Sequence, residues 1–272
     1  MFLAKKVRGA TAILTAIAYN CILTFPHLAL YALRRHWTEK NRAVYRNGMT
    51  IRMTEHGERL FRWLCKILDV TVEFEAPTST PLRGDPLIVI SNHQSIMDIP
   101  LLFAIMHWLK IDHTRWVMKK EIGKTPFGWF SRIVDSAFVS RRGEKSDLMA
   151  IRECAWSANQ DGAAVILFPE GTRFRAPIPD SGFTFVRPPK TTGFELLREY
   201  MPRASILSVT LCWKSKQGEG HHGGRTVFDT DGFVGKRLIV RIEQINADTV
   251  DQTPDWLKDH WCKKDLELAK LA

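Results

Sequence analysis

The chain has 272 residues, with 39 Lys+Arg against 29 Asp+Glu, so its net charge is +10 with histidine neutral. Hydrophobic residues make up 45% and charged residues 25%, a globular balance that argues against disorder, a collagen repeat and a polytopic membrane bundle. The length suits one large α/β domain or two small ones. Five cysteines, at 21, 65, 154, 212 and 262, form no C-x-x-C pair and are odd in number. That pattern points to reduced thiols facing the cytoplasm rather than a disulfide scaffold or a structural zinc site.

The charge is concentrated at the start. Residues 1–60 hold ten Lys+Arg (Lys5, Lys6, Arg8, Arg34, Arg35, Lys40, Arg42, Arg46, Arg52, Arg59) against Glu39, Glu55 and Glu58, which is +7 of the +10. Between the basic clusters, Gly9–Leu33 runs for 25 residues without a formal charge. A helix of that length could cross a hydrocarbon core of roughly 30 Å. Pro26 should end or kink it near Phe25, and basic residues at both ends give no orientation, so two shorter helices dipping into one leaflet are the favoured alternative. Ala16-Ile17-Ala18 has the spacing of a signal-peptidase site, but the apolar run continues well past it. Basic residues beside an apolar anchor are drawn to anionic headgroups at about 1 kcal/mol each. Membrane association is therefore expected of residues 1–75, and nucleic acid is disfavoured as the partner of the basic surplus.

Residues 34–69 read as an amphipathic helix. A turn cluster at 78–86 precedes Leu87-Ile88-Val89-Ile90, an apolar run typical of a strand buried on both faces. Then come a helix at Ile99–Leu109, a strand at Trp116–Met118, a helix, a strand at Ala137–Val139, a helix at 146–160 and a strand at Ala163–Phe168. Ile206–Trp213 and Arg237–Ile242 read as strands, and Trp256–Leu271 as a packing helix. The alternation predicts an α/β fold, a mostly parallel or mixed central sheet flanked by helices, over residues 76–272. Gly218-Glu219-Gly220-His221-His222-Gly223 has the letters of a dinucleotide loop but no helix after it, so it reads as a flexible connection.

Two constellations carry chemistry. Ser91-Asn92-His93-Gln94-Ser95-Ile96-Met97-Asp98 ends the first buried strand, where open α/β sheets place ligands. With Ser95 as N-cap and Asp98 in the first helical turn, carboxylate and imidazole can meet. Such a carboxylate fixes the tautomer and frees the other ring nitrogen to take a proton. A plain capping box beside a surface histidine has the same spacing. Phe168-Pro169-Glu170-Gly171-Thr172-Arg173 ends another strand, with Gly171 permitting a tight turn.

Together, His-x4-Asp and Phe-Pro-Glu-Gly-Thr-Arg 75 residues on resemble the glycerophospholipid acyltransferase family, whose best-known members acylate lysophosphatidic acid. Phe138-Val139-Ser140-Arg141 matches the family's intermediate motif. Ile206–Thr210 matches its later strand motif loosely, without the usual proline. Arg187-Pro188-Pro189-Lys190 resembles the lysocardiolipin-type subset. The resemblance covers roughly residues 85–215. It implies a membrane-bound enzyme, at a bacterial inner membrane if the source is bacterial, with its catalytic domain facing the cytoplasm. It would move an acyl group from acyl-CoA or acyl-carrier protein, as co-substrate, to a lysophospholipid hydroxyl, with phosphatidic acid as the expected product. His93 and Asp98 are the catalytic pair it implies, with Arg141, Glu170, Gly171, Thr172 and Arg173 binding the acceptor. No cofactor or metal is implied. Other lysolipid acceptors, lysophosphatidylglycerol or lysocardiolipin, stay open. So does a catalytically silent membrane-surface binding protein of the same fold.

Overall fold

Residues 2–32, 38–75, 85–140, 142–215, 230–250 and 255–271 are described by the computed structural model. Two long helices, α1 (Phe2–Ala32) and α2 (Glu39–Leu68), lead into β1 (Thr71–Glu75). There follow β2 (Leu87–Ser91), α3 (Asp98–Trp108), β3 (Thr114–Lys119), α4 (Pro126–Ile133), β4 (Ala137–Val139), α5 (Lys145–Asp161) and β5 (Ala164–Leu167). The chain ends with α6 (Thr191–Tyr200), β6 (Ser205–Ser215), β7 (Lys236–Ile245) and α7 (Trp256–Leu271).

The strands form one seven-stranded sheet in the order β1-β7-β6-β2-β5-β3-β4. Every neighbouring pair is parallel except β6–β7, so the sheet is mixed, as expected. β2 and β5 lie inside it and are buried throughout, which explains their uninterrupted apolar sequence. Along β2 the side chains alternate. Leu87 and Val89 join a core with α2, α3 and α4, while Ile88 and Ile90 join a second core with α5, α6 and α7. β1, within the segment assigned to the N-terminal part, adds a strand to this sheet beside β7. Neither β1 nor α6 was apparent in the sequence pattern.

α1 departs from expectation. It runs unbroken through Pro26 to Ala32. Pro26 is exposed, so the hydrogen bond it omits and the ring it adds lie away from the packed side, where a bend is tolerated. Among the described residues no helix is long and apolar enough to cross a membrane. Instead α1 packs against α2, α4 and the turn Thr230–Phe233. Its contact side uses small residues, with Gly9 and Ala12 buried and Ala16 packed on the core.

α2 is anchored near its N-terminal end. Thr38 caps it by accepting the Asn41 N–H. Arg46 then bridges Asp135 at 2.6 Å and Asp161 at 3.1 Å, and Arg115 also pairs with Asp161. In mid-helix α2 touches α3 so closely that a Cβ on Gly57 would lie 2.2 Å from the Phe103 Cβ. Only glycine fits there.

Candidate active site

β2 ends at Ser91, and the next six residues turn to deliver Asp98 as the first residue of α3. Ser95 is not the N-cap that its spacing suggested. Met97 occupies that position without a side-chain bond, because the Asp98 carboxylate turns back into the loop. Its Oδ2 accepts the Gln94 and Ser95 N–H groups at 2.7 Å each and faces His93 Nδ1 at 2.9 Å. Its Oδ1 accepts the Ser95 hydroxyl at 3.0 Å and the Trp213 indole N–H at 3.1 Å. Removing a carboxylate from water costs several kcal/mol, and five donors offset this at about 1.5–3 kcal/mol each. The ionised Asp98, fully buried, can only accept, so His93 Nδ1 donates to it. Nε2 is then the basic nitrogen, on a side chain that keeps 13% of its surface exposed.

The loop is sewn to β6 as though β2 continued. Asn92 donates to the Leu211 carbonyl at 2.9 Å and accepts the Leu211 N–H at 2.8 Å. Gln94 Oε1 accepts the Trp213 N–H at 3.4 Å. Side-chain amides thus stand in for strand backbone beyond Ser91.

The second constellation closes over the first. Phe168 stacks on the His93 ring, centroids 4.1 Å apart. Glu170 is buried, and its two oxygens accept the His93 N–H at 3.0 Å and the Arg187 N–H at 3.1 Å. The Phe174 N–H donates to the His93 carbonyl at 2.6 Å. Burial pushes the Glu170 carboxyl up to about 8, against the lowering effect of those two N–H donors. Gly171 has φ +67°, a left-handed conformation that side chains resist. A Cβ there would meet Lys190 at an ordinary 3.5 Å, so backbone rather than space demands the glycine.

α7 supports the site from behind. Asp265 accepts the N–H groups of Thr184 at 3.0 Å, Phe185 at 2.7 Å and Val186 at 3.0 Å, fixing the segment that presents Arg187 to Glu170. Buried Lys264 donates to the Val209 carbonyl and the Thr210 hydroxyl at 2.9 Å each, and burial pulls its ammonium down to about 8. On the opposite face of the sheet lies an apolar cavity of about 440 Å³. Ile96 and Met97 of the His93 loop line it together with Ala12 and Ile17 of α1, Gly57 and Leu60 of α2, Phe103 and Phe127.

His93, Asp98, Glu170 and Gly171 therefore converge. Thr172 follows them on the exposed side, and Arg173 is partly buried, its Nη1 enclosed without a hydrogen-bond partner among the described residues. Arg141 and the glycine-rich stretch 218–223 lie outside the described residues.

The sequence pattern of the family described as Acyltransferase matches residues 69–212, a span enclosing both constellations and the strands that carry them. The chain belongs to the acyltransferase family. A lyso-ornithine lipid O-acyltransferase of Pseudomonas aeruginosa is 29% identical over 121 residues, 44% of each chain. A 1-acyl-sn-glycerol-3-phosphate acyltransferase of Helicobacter pylori is 35% identical over 92 residues, 33% of this chain and 36% of that one. The match thus spans less than half the length of either relative. The crystal structure of PlsC, the 1-acyl-sn-glycerophosphate acyltransferase of Thermotoga maritima, superimposes with a TM-score of 0.60 at 21% identity, covering 98% of this chain and 97% of that one. The two share the fold.

In this member of the acyltransferase family the residues that sequence reasoning missed are the supports. Trp213, Lys264 and Asp265 stand more than 100 positions from His93. Trp213 sat inside the predicted strand as an ordinary core aromatic, and a lysine–aspartate pair on the apolar side of a packing helix was the one visible signal for the other two.

Proposed function

We propose that this chain is a membrane-surface lysophospholipid O-acyltransferase that acylates 1-acyl-glycerol-3-phosphate to phosphatidic acid. The observation that carries the reading is the His93–Asp98 dyad, its Nε2 without a hydrogen-bond partner among the described residues, in a loop that also walls an acyl-sized apolar cavity. Nε2 takes the proton of the acceptor's hydroxyl while that oxygen attacks the thioester carbonyl of an acyl-CoA or acyl-carrier protein. The tetrahedral adduct expels the thiolate, which recovers the proton from the imidazolium. General-base help of this kind contributes about 10²–10⁴-fold. Asp98 stays ionised and orients the ring. Arg173 and Arg141 receive the acceptor's phosphate through guanidinium groups suited to bidentate contact; the buried Nη1 of Arg173, without a partner among the described residues, supports that role.

The outer face of α1 supports attachment to the bilayer surface. Val7, Leu14, Ile17, Ile22 and Phe25 are all more than half exposed. At about 100° per residue they fall within roughly 140° of one another, opposite the small residues that pack inward. Lys6 and Arg8 accompany them at the helix start. Such a helix lies in the headgroup region with its apolar face down.

Labelled acyl-CoA and acyl-carrier protein are offered to the purified protein with lysophosphatidic acid, lysophosphatidylglycerol, lysocardiolipin and lyso-ornithine lipid. Phosphatidic acid as the dominant product supports the proposal. Another dominant product reassigns the acceptor, and no turnover with any pair refutes the enzymatic reading. Co-sedimentation with phosphatidylglycerol vesicles, lost in the double variant Leu14→Glu/Ile22→Glu, checks the attachment.

A further inference from the structure

The indole of Trp213 occupies an unusual place for a core aromatic. It is fully buried on β6, pinned edge-on by Phe233 with centroids 4.9 Å apart, and its N–H reaches the one dyad oxygen that His93 does not use. Its own backbone N–H is held by Gln94 Oε1, so ring and main chain grip the same loop. Buried indole N–H groups take partners of many kinds; here the partner is the carboxylate that orients the base.

We infer that Trp213 is a positioning residue of the acyl-transfer dyad, its N–H fixing the Asp98 carboxylate and limiting how strongly that carboxylate holds the His93 proton. This rests on the proposed acyl transfer and deepens it. The physical argument concerns charge density. A carboxylate's basicity falls with every hydrogen bond to its ionised form. Oδ2 is already shared by two backbone N–H groups and the imidazole, so the balance on Oδ1 is set by the Ser95 hydroxyl and the indole. Ser95 Oγ also accepts the Met97 N–H and moves with the loop, whereas Trp213 is anchored in the sheet. Withdrawing the indole N–H leaves Oδ1 more negative and the carboxylate freer to swing. The imidazolium becomes more favourable, and the neutral, base-competent ring prevails only at higher pH.

Trp213→Phe removes the donor and keeps an aromatic ring. Phe233→Leu loosens the packing around Trp213 and keeps the donor. Replacing Trp213 by benzothienylalanine keeps the shape and removes the N–H alone, which covers the case in which Trp213→Phe fails to fold. The expected result is a kcat about tenfold lower in the two donor-less proteins with acceptor and donor KM nearly unchanged. Their acid limb moves up by about half a pH unit, and Phe233→Leu affects thermal stability alone. An unmoved limb in the donor-less proteins, or the same shift in Phe233→Leu, overturns the inference. Titration of the His93 ring by NMR repeats the comparison without turnover. If wild-type protein transfers no acyl group to any lysolipid, the proposed function fails. If it does and the donor-less proteins titrate as wild type, only the role of Trp213 fails.

Discussion

Gly57→Ala sets two effects of known size against each other. In an exposed helix interior the change is favourable, by about 0.5–1 kcal/mol. At Gly57 the added methyl would stand 2.2 Å from the Phe103 Cβ and 2.7 Å from its Cγ, where carbon atoms normally meet at about 3.5–4.0 Å. The partner is the stem of a packed ring rather than the loose end of a flexible chain, so α2 or Phe103 must shift by more than about 1 Å. Overpacking of this kind costs roughly 1–3 kcal/mol, which at its midpoint outweighs the helical gain and leaves about 1 kcal/mol of destabilisation. For a domain of this size that is a fall of about 2–4 °C in Tm by calorimetry or circular dichroism. Gly57 and Phe103 also line the apolar cavity, so the methyl and the displaced ring subtract volume, and the preferred acyl chain shortens across a series of acyl-CoA donors. A rise in Tm would refute the steric argument, and an unchanged chain preference would refute the placement of the acyl chain in that cavity.

His93→Ala should lower kcat by about 10²–10⁴-fold while Tm and vesicle binding stay at wild-type values; turnover near wild type would dismiss the general-base role. The raised carboxyl of Glu170, from 4.5 to about 8, means that the folded state holds this proton more tightly than the unfolded one. The associated stability is complete below about pH 4.5 and is lost as pH rises through 8, so Glu170→Gln should flatten the alkaline side of the Tm–pH curve. His260 has the opposite sign. Burial first, then Lys264 and Lys263, lower its imidazole from 6.5 to about 3, so stability present above pH 6.5 drains away as pH falls towards 3. This amounts to several kcal/mol at about 1.4 kcal/mol per unit, and His260→Phe should be less acid-sensitive than wild type; an identical acid limb would show that other groups govern it.

The sequence displayed the candidate site more clearly than its supports. His93 and Asp98 are five residues apart, and a strand exit is a place where such a pair can meet, so spacing and context were enough to pair them. The manner of pairing was hidden, because Ser95 and Asp98 also satisfy a capping pattern and one partner of the carboxylate, Trp213, lies 115 residues further on. That contact exists only once β6 has paired with β2 in register, Ser91 beside Val209, and no local pattern encodes a register. The strands were legible where both faces are buried, as in β2 and β5. Edge strand β1, largely exposed as Thr-Val-Glu-Phe-Glu, lacks that signature. Pro26 misled for a related reason: its rule describes the backbone bond it removes, and whether that matters depends on which side of the helix faces the core.

The grip of Asp265 on residues 184–186 bears on how the protein is made. His93 leaves the ribosome 172 residues before Asp265, an interval of roughly ten to thirty seconds at usual elongation rates. During that time the dyad loop, the sheet's central strands and the apolar cavity can begin to assemble, yet the segment that carries Arg187 to Glu170 still lacks the carboxylate that accepts its three N–H groups. On the proposed attachment, a nascent chain presents α1 to the bilayer long before Asp265 completes the support of Glu170. Its last helix arms the site.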